Sequence, residues 1–320
     1  MYKGKSVAVV VPAYNEESQI GKVIETLPGF VDKIVIVDDA STDKTAEVVE
    51  RYCKKYPRKY GSRIVLIRHE QNQGVGGAIT TGYKWARDNR MDVSVVMAGD
   101  GQMDPEDLPN LLDPVVEDKA DYTKGNRLFT GNAWNLIPKV RYLGNSVLSL
   151  LTKIASGYWH VADSQTGYTA ASLKVLETIQ LENIYNGYGM PNDILVRLNV
   201  YNFRVKDVPI KPVYNVGEKS GIKLYRVIFT IPFLLLRLFL WRMKEKYVIR
   251  DFHPLVFFYF IGLITFPVGF LLGLYDFFYR IFVGPVAPTS AMFDAFLVIM
   301  GLQFLLFAMW FDMEYNRDLK

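Results

Sequence analysis

Along the first half of the chain, short apolar runs alternate with stretches whose apolar residues recur at helical spacing. Residues 7–11, 34–38, 64–68 and 93–97 are mostly continuous apolar runs of four or five, rich in Val and Ile. Such runs fit strands buried on both faces of a parallel sheet. Between them, residues 17–27, 45–56 and 75–89 have helical periodicity, with Ser41 or Thr42 available to cap the second helix. The alternation predicts a doubly wound α/β fold, in which ligands bind at the carboxyl ends of the strands.

The pattern changes towards the C-terminus. Residues 255–274 carry no charge, and in residues 295–311 Gln303 is the only strongly polar side chain. A helix of about 20 apolar residues crosses about 30 Å of hydrocarbon. The alternative is a pair of buried core helices, but two such runs back to back predict membrane spans. Just before them, residues 227–241 are apolar, interrupted by Pro232 and Arg237, and too few to cross. Arg226, Thr230, Arg237 and Lys244 fall on one side of a helical wheel. The stretch reads as an interfacial helix bent or broken at Pro232, or else as a surface helix on the soluble part.

These transitions divide the chain into 1–224, a soluble domain; 225–250, an interfacial amphipathic region; and 251–320, two transmembrane helices and a short tail. No apolar leader precedes the first strand, so the domain is expected in the cytosol. Two spans return the C-terminus to the same side. Arg237, Arg242, Lys244, Lys246 and Arg250 precede the first span, whereas Arg280 is assigned to the inter-span loop, which agrees with a cytosolic N-terminal side. The expectation is a multi-pass protein of the cell membrane or an internal membrane, with the soluble domain and both termini cytosolic.

Composition narrows the chemistry. With 320 residues, 50% of them hydrophobic and 22% charged, the chain is not disordered. Its mean hydropathy of +0.09 averages two different regimes. Cys53 alone forms no intramolecular disulfide and weakly suits a reducing compartment; with His69, His160 and His253 scattered, no thiolate or imidazole zinc cluster is indicated. A net charge of +4 gives no global nucleic-acid footprint.

Polar residues cluster where the strands end: Pro12-Ala13-Tyr14-Asn15-Glu16-Glu17, Asp38-Asp39-Ala40-Ser41-Thr42-Asp43 and Gly99-Asp100-Gly101-Gln102-Met103-Asp104. Carboxylates there suit ribose hydroxyls, base N–H groups and a hard divalent cation. One such cluster is ordinarily a cap or a turn; three at successive strand ends point to a site. Gly74-Val75-Gly76-Gly77-Ala78 opens the third helix, where glycine permits close approach of a neighbour or ligand and a helix N-terminus favours anions. Ile79 replaces the last glycine of a dinucleotide fingerprint, and there is no Walker A sequence.

These clusters, in this order, resemble a family 2 glycosyltransferase of the GT-A fold. The resemblance covers roughly the first 224 residues and runs through Val9-Val10-Val11-Pro12-Ala13-Tyr14-Asn15-Glu16, Val37-Asp38-Asp39-Ala40-Ser41-Thr42-Asp43-Lys44-Thr45 and Asn72-Gln73-Gly74-Val75-Gly76-Gly77-Ala78. Within that family the chain is similar to dolichyl- and polyprenyl-phosphate sugar synthases. This likeness rests on Gly125-Asn126-Arg127, Arg141 with Asn145, Asp163-Ser164-Gln165-Thr166-Gly167-Tyr168 and Gly217-Glu218-Lys219-Ser220, followed by membrane helices. It implies a GT-A-type domain with a mostly parallel sheet, a nucleotide-sugar donor (a UDP-sugar before GDP-mannose), a dolichyl or polyprenyl phosphate acceptor in the bilayer, Mg²⁺ or Mn²⁺, and inverting transfer. Homo-oligomers are also possible by this resemblance.

By the same resemblance, Pro12, Tyr14, Glu16, Asp38, Asp39, Gly76 and Asp100 bind the nucleotide sugar, and Asp100 with Gln102 holds the metal. Arg127, Arg141 and Asn145 bind the acceptor phosphate, and a loop bearing Glu218, Ser220 and Lys223 closes over the donor. Asp163 contacts a sugar hydroxyl, orients an acceptor arginine or merely caps a turn. Asp193 faces the site or caps a helix, while Tyr168, Tyr185 and Tyr188 read as packing. The family often has Asp-x-Asp at the end of strand four; here Ala98 takes the first position. That departure keeps open a nucleotide-sugar-binding membrane regulator without activity. A processive polysaccharide synthase is the other alternative, although the Gln-x-x-Arg-Trp motif and additional spans usual in that class are absent from this sequence.

Overall fold

The structure, a computed structural model, describes residues 1–128, 139–211 and 224–320; for residues 139–143, 145 and 224–229 that description covers the backbone alone. Two compact units result, one of residues 1–239 with 319–320, the other of residues 240–318.

The first unit is built on a seven-stranded sheet. Its strands are β1 (Val7–Ala13), β2 (Lys33–Asp38), β3 (Ile64–Arg68), β4 (Val93–Val96), β5 (Tyr122–Asn126), β6 (Thr169–Ser172) and β7 (Val205–Pro209). They lie in the order β3-β2-β1-β4-β6-β5-β7. Only β6 runs antiparallel, against β4 and β5. The continuous apolar runs have the expected cause: Val7, Val9 and Val11 of β1 pack with Ile20, Ile24 and Leu111 on one face, and Ala8 and Val10 pack with Ala78, Ala86 and Leu195 on the other. Each large side chain so buried contributes about 1.5–3 kcal/mol.

The helices of this unit are α1 (Ile20–Thr26), α2 (Thr45–Lys55), α3 (Val75–Asp88), α4 (Leu108–Val116), α5 (Lys139–Ser156), α6 (Leu173–Thr178), α7 (Met190–Val200) and α8 (Leu224–Lys244), the last continuing past the unit's edge. Two local expectations are corrected. Neither Ser41 nor Thr42 caps α2; Asp43 Oδ1 accepts from Thr45 N at 2.9 Å, while Ser41 and Thr42 bond Asn15. Nor does Pro232 break its helix. α8 runs through it, because Ile231 and Leu235 on either side are buried and hold the turns in place.

In the second unit, α9 (Leu255–Phe282) and α10 (Pro288–Tyr315) are each 28 residues long and apolar enough to cross a membrane. Only 22% and 17% of their most apolar windows are buried, which is unlike core helices of a soluble protein. They pack closely through small residues: a Cβ on Gly301 would lie 2.4 Å from Phe266 N. Arg280, expected in the connecting loop, sits in the last turn of α9, since the helix outruns its uncharged stretch. Before the spans, Arg242 is fully buried and grips Asp312 of α10 with two bonds, at 2.8 and 2.9 Å.

His160 lies between α5 and β6. Its Nε2 donates to Val205 O at 2.7 Å, and burial pushes its pKa below the ordinary value, opposed by that bond. Below about pH 6.5 the unfolded chain binds a proton here that the folded chain refuses, so this stability is complete above that pH and falls as pH drops towards the folded value. In His160→Gln the amide can donate the same bond without titrating. The thermal midpoint should therefore fall less between about pH 7 and about pH 5.5 than in the wild type. An equal fall would show that His160 does not titrate on unfolding.

Candidate active site

The parallel strands β1, β2 and β4 end side by side, and their polar residues knit those ends together. Ala13 of β1 is in register with Asp38 of β2. Gly99, just past β4, donates its N–H to Pro12 O at 3.2 Å. Asn15, in the left-handed region at φ 58°, accepts Thr42 N and donates its own N–H to Ser41 Oγ. Glu16 N donates to Thr45 Oγ1. Tyr14 is 48% exposed at this rim.

Asp38 and Asp39 are both buried but differently used. Asp38 Oδ1 accepts Ser41 N, and Arg68 Nε lies 3.5 Å from Oδ2. Asp39 is fully engaged by the protein. Its Oδ1 accepts His69 Nδ1 at 2.7 Å and Gln73 N at 2.8 Å, and its Oδ2 accepts Gly74 N at 2.8 Å. His69 Nε2 lies 2.9 Å from Thr81 Oγ1. Asp39 thus shapes the loop that enters α3. His69 and Arg68 are missed by sequence reasoning, although a polar His69-Glu70 immediately after a predicted strand is the signal that marks the other strand ends.

Gly76 and Gly77 permit a close approach, and the partner is the chain itself: both donate to Asn186 O. A Cβ on Gly76 would stand 2.4 Å from Tyr185 O. Tyr185 N in turn donates to Asp193 Oδ2, and Asp193 Oδ1 accepts Arg197 Nε. Asp193 therefore supports this loop from the first turn of α7.

After β4, Asp100 Oδ1 accepts Gln102 N at 3.0 Å, and Gly101 takes φ 75°. Ala98 N meets Met103 Sδ. Glu16 is partly buried, and its pKa is pushed up to about 7 by burial first, then by the charges of Asp100 and Asp43. The hard oxygens of Asp100 and Gln102, together with carboxylates that repel one another, fit a Mg²⁺ or Mn²⁺ that draws the rest of its shell from phosphate and water. Among the described residues no group of three His, Cys, Asp or Glu side chains forms a closed metal cage.

The loop after Asp100 touches a second polar centre. Tyr168 is buried and donates to Asp104 O at 2.9 Å, and a Cβ on Gly167 would lie 3.6 Å from Met103 Cε. In the loop leading to that tyrosine, Asp163 has no exposed surface. It accepts from Arg127 Nε at 2.8 Å and Arg127 Nη2 at 3.2 Å, a two-point fork. Burial alone would raise the Asp163 pKa, but Arg127 and then Lys124 hold it below the usual carboxylate range. Lys124 is itself wholly buried, donates to Thr166 O, and is pushed down to about 8 by burial. Arg141 and Asn145 lie on α5, but their side chains fall outside the described residues, as do Glu218, Ser220 and Lys223.

The family model for glycosyl transferase family 2 matches residues 8–180, the stretch that carries these strand ends and both polar centres. The chain belongs to glycosyl transferase family 2. It is an enzyme of the glycosyltransferase type. Similar proteins include UDP-N-acetylglucosamine–dolichyl-phosphate N-acetylglucosaminyltransferase of Methanococcus voltae, 31% identical over 218 residues, covering 66% of this chain and 86% of that one. Undecaprenyl-phosphate mannosyltransferase of Micrococcus luteus is 30% identical over 207 residues, covering 64% and 82%. Among solved structures, glucosyl-3-phosphoglycerate synthase of Mycobacterium tuberculosis, in complex with Mn²⁺, UDP and phosphoglyceric acid, aligns with a TM-score of 0.52 at 19% identity, covering 75% of this chain and 78% of that one. The shared fold is that of the GT-A glycosyltransferases.

For this family 2 domain, the crowding at Gly76 makes a prediction that needs no ligand. In Gly76→Ala the new methyl meets backbone rather than a movable side chain. The ligand-free protein should lose about 1–3 kcal/mol of stability, read as a lower thermal or denaturant midpoint. An unchanged midpoint would mean that the glycine serves a bound ligand instead.

Proposed function

We propose that this chain is a membrane-anchored, inverting glycosyltransferase that moves a sugar from a nucleotide sugar, a UDP-sugar first, to dolichyl or polyprenyl phosphate. The observation that carries this reading is the guanidinium of Arg127, locked by buried Asp163 in a loop that Tyr168 ties to Asp104, two residues past Gln102. A fixed cation next to a nucleotide-sugar-type strand end is what an anionic acceptor needs. The names of the Methanococcus voltae and Micrococcus luteus relatives, which couple dolichyl or undecaprenyl phosphate to sugar transfer, support the same acceptor class.

The chemistry follows from charge. A lipid monophosphate has a second pKa of about 6 and is largely dianionic at neutral pH, so its oxygen attacks with little help from a base. It must instead be brought against a donor diphosphate of like charge. Arg127 holds phosphate oxygens in a planar array that Lys does not offer, and Arg141 is its proposed companion. Asp163 stays ionised as the counter-ion that aims Arg127. Pro12, Tyr14, Glu16 and Asp38 line the donor side, with Asp39 and Gly76 acting through the shape of the loop. Asp100 and Gln102 would hold the divalent cation, which when bound neutralises charge on the departing diphosphate. One displacement at the anomeric carbon inverts its configuration.

The anchoring half of the proposal rests on α8, α9 and α10. α8 leaves Phe233, Leu236 and Leu240 exposed, 54–72% each, while Ile231, Leu235 and Leu238 are buried. A helix with apolar residues on its open side belongs in a headgroup layer. We place the catalytic domain and both termini on the cytosolic side.

The test is incorporation of labelled sugar into extractable lipid phosphate, with UDP-sugars and GDP-mannose offered beside dolichyl and undecaprenyl phosphate. Transfer is expected with Mg²⁺ or Mn²⁺ and should cease in EDTA. No transfer from any pair, by folded protein, would overturn the reading. Asp100→Ala should lower turnover by about 10²-fold or more with the fold intact. Near-normal turnover at saturating metal would remove Asp100 from the mechanism. Separately, Arg127→Lys and Arg141→Lys should raise the acceptor KM or lower kcat while leaving donor affinity by calorimetry little changed. Loss of donor binding with an unaltered acceptor KM would move that arginine to the donor site.

A further inference from the structure

Asp207, on the edge strand β7, is not among the residues that motif or resemblance singles out, yet its carboxylate sits behind the Arg127–Asp163 pair. One oxygen, Oδ2, accepts two bonds: Asn126 Nδ2 at 2.9 Å and Ala162 N at 2.7 Å. Asn126 is the residue before Arg127, and Ala162 is the residue before Asp163. A single atom therefore ties together the chain positions from which both partners of the ion pair spring. Asn126 is fixed at its other end too, its Oδ1 accepting Leu128 N at 2.9 Å, so the side chain brackets Arg127 from both sides. Asp207 also stands opposite Lys124 in the parallel β5–β7 register.

The second oxygen of Asp207 is unusual. Oδ1 is closed from water and has no hydrogen-bond partner among the described residues. A buried oxygen left unpaired carries a free-energy cost of about 1–3 kcal/mol. A purely structural position would be filled at less cost by a neutral side chain with one acceptor. Burial pushes the carboxyl up to about 6, against the lowering effect of the Ala162 bond and of Lys124. Around it stand Lys124 and Asn126 from β5, and Ala162 and Asp163 from the loop.

We propose that Asp207 is a positioning residue for sugar transfer: by bridging Asn126 and Ala162 through Oδ2, it sets the angle at which the Asp163-bound Arg127 meets the acceptor phosphate. The inference rests on the acceptor role proposed for Arg127. It assigns Asp207 no contact with substrate. An arginine fork is directional, so a small rotation of its base displaces its far nitrogens, and misplacement by about 1 Å can cost about 10²-fold in rate.

The test compares Asp207→Ala with Asp207→Asn in the full-length protein, in detergent with undecaprenyl phosphate. The amide oxygen of Asn can take both bonds that Oδ2 takes, whereas Ala takes neither. Asp207→Ala should lose about tenfold or more in kcat/KM for the lipid phosphate, with UDP affinity by calorimetry unchanged. Asp207→Asn should recover to within about threefold of the wild type. Equal kinetics in Asp207→Ala and the wild type, loss of UDP affinity, or an Asn variant as impaired as Ala would each overturn the proposal. A second measurement is independent of turnover: the Nε–H resonance of Arg127 in ¹⁵N-labelled protein, assigned by its disappearance in Arg127→Lys. It should shift or broaden in Asp207→Ala and return in Asp207→Asn. An unmoved resonance in Asp207→Ala overturns the positioning role whatever the substrate. A moved resonance in a protein whose wild type transfers nothing to lipid phosphate leaves the positioning in place and rejects the acceptor reading instead.

Discussion

Asp163 has no exposed surface, so its charge has to be met inside the protein, and Arg127 meets it with Nε and Nη2. Removing one partner of a buried ion pair costs about 3–5 kcal/mol, because the other charge is left uncompensated. That constraint fixes more than stability. A guanidinium held at two points has a determined plane, and its outer edge has a determined direction. Around the pair, Lys124 anchors Thr166, and Asp207 anchors Asn126 and Ala162. The site depends on buried charges whose partners leave one cation in a fixed pose.

The proposed donor side is organised by a different constraint. A parallel sheet brings the carboxyl ends of β1, β2 and β4 to one edge, so Glu16, Asp38 and Asp100 gather there whatever their separation in sequence. Glu16 is partly buried there, and burial first, then the negative charges of Asp100 and Asp43, raise its pKa. A divalent cation held there, as proposed, would relieve the repulsion among these carboxylates. The loop that follows β4 meets the loop carrying Asp163 where Tyr168 donates to Asp104 O, which links the proposed acceptor cation, Arg127, to the carboxylate cluster. The antiparallel β6 supplies this meeting, since it lies between β4 and β5 and carries the chain out of the Asp163 loop.

The first four strands and three helices are legible in the sequence because their burial is local and two-sided: an uninterrupted run of Val and Ile has no other use. β5 and β6 hide from such reading. Lys124, Gly125 and Asn126 do not look like a buried strand, and their burial is made possible by Thr166 and Asp207, distant in sequence. The acidic pair Asp38-Asp39 is visible as a pair, but not the division of labour within it, which depends on His69, Gln73 and Gly74. The glycines before α3 announce a close approach without naming the partner, here the backbone of Tyr185 and Asn186. Helix α8 is legible as an amphipathic element, whereas its continuity through Pro232 depends on packing on either side.

The measurement that bears most directly on this account is a double-mutant cycle on Arg127 and Asp163, read in kcat/KM for the lipid phosphate. If Asp163 acts by aiming Arg127, removing it from a protein that already lacks the guanidinium should change little. Arg127→Ala, Asp163→Ala and the double variant should therefore show similar losses, on the order of 10²-fold, and strong non-additivity. Losses that multiply would contradict the account, because Asp163 would then act on the substrate by itself and the fixed guanidinium would not be the element on which transfer depends.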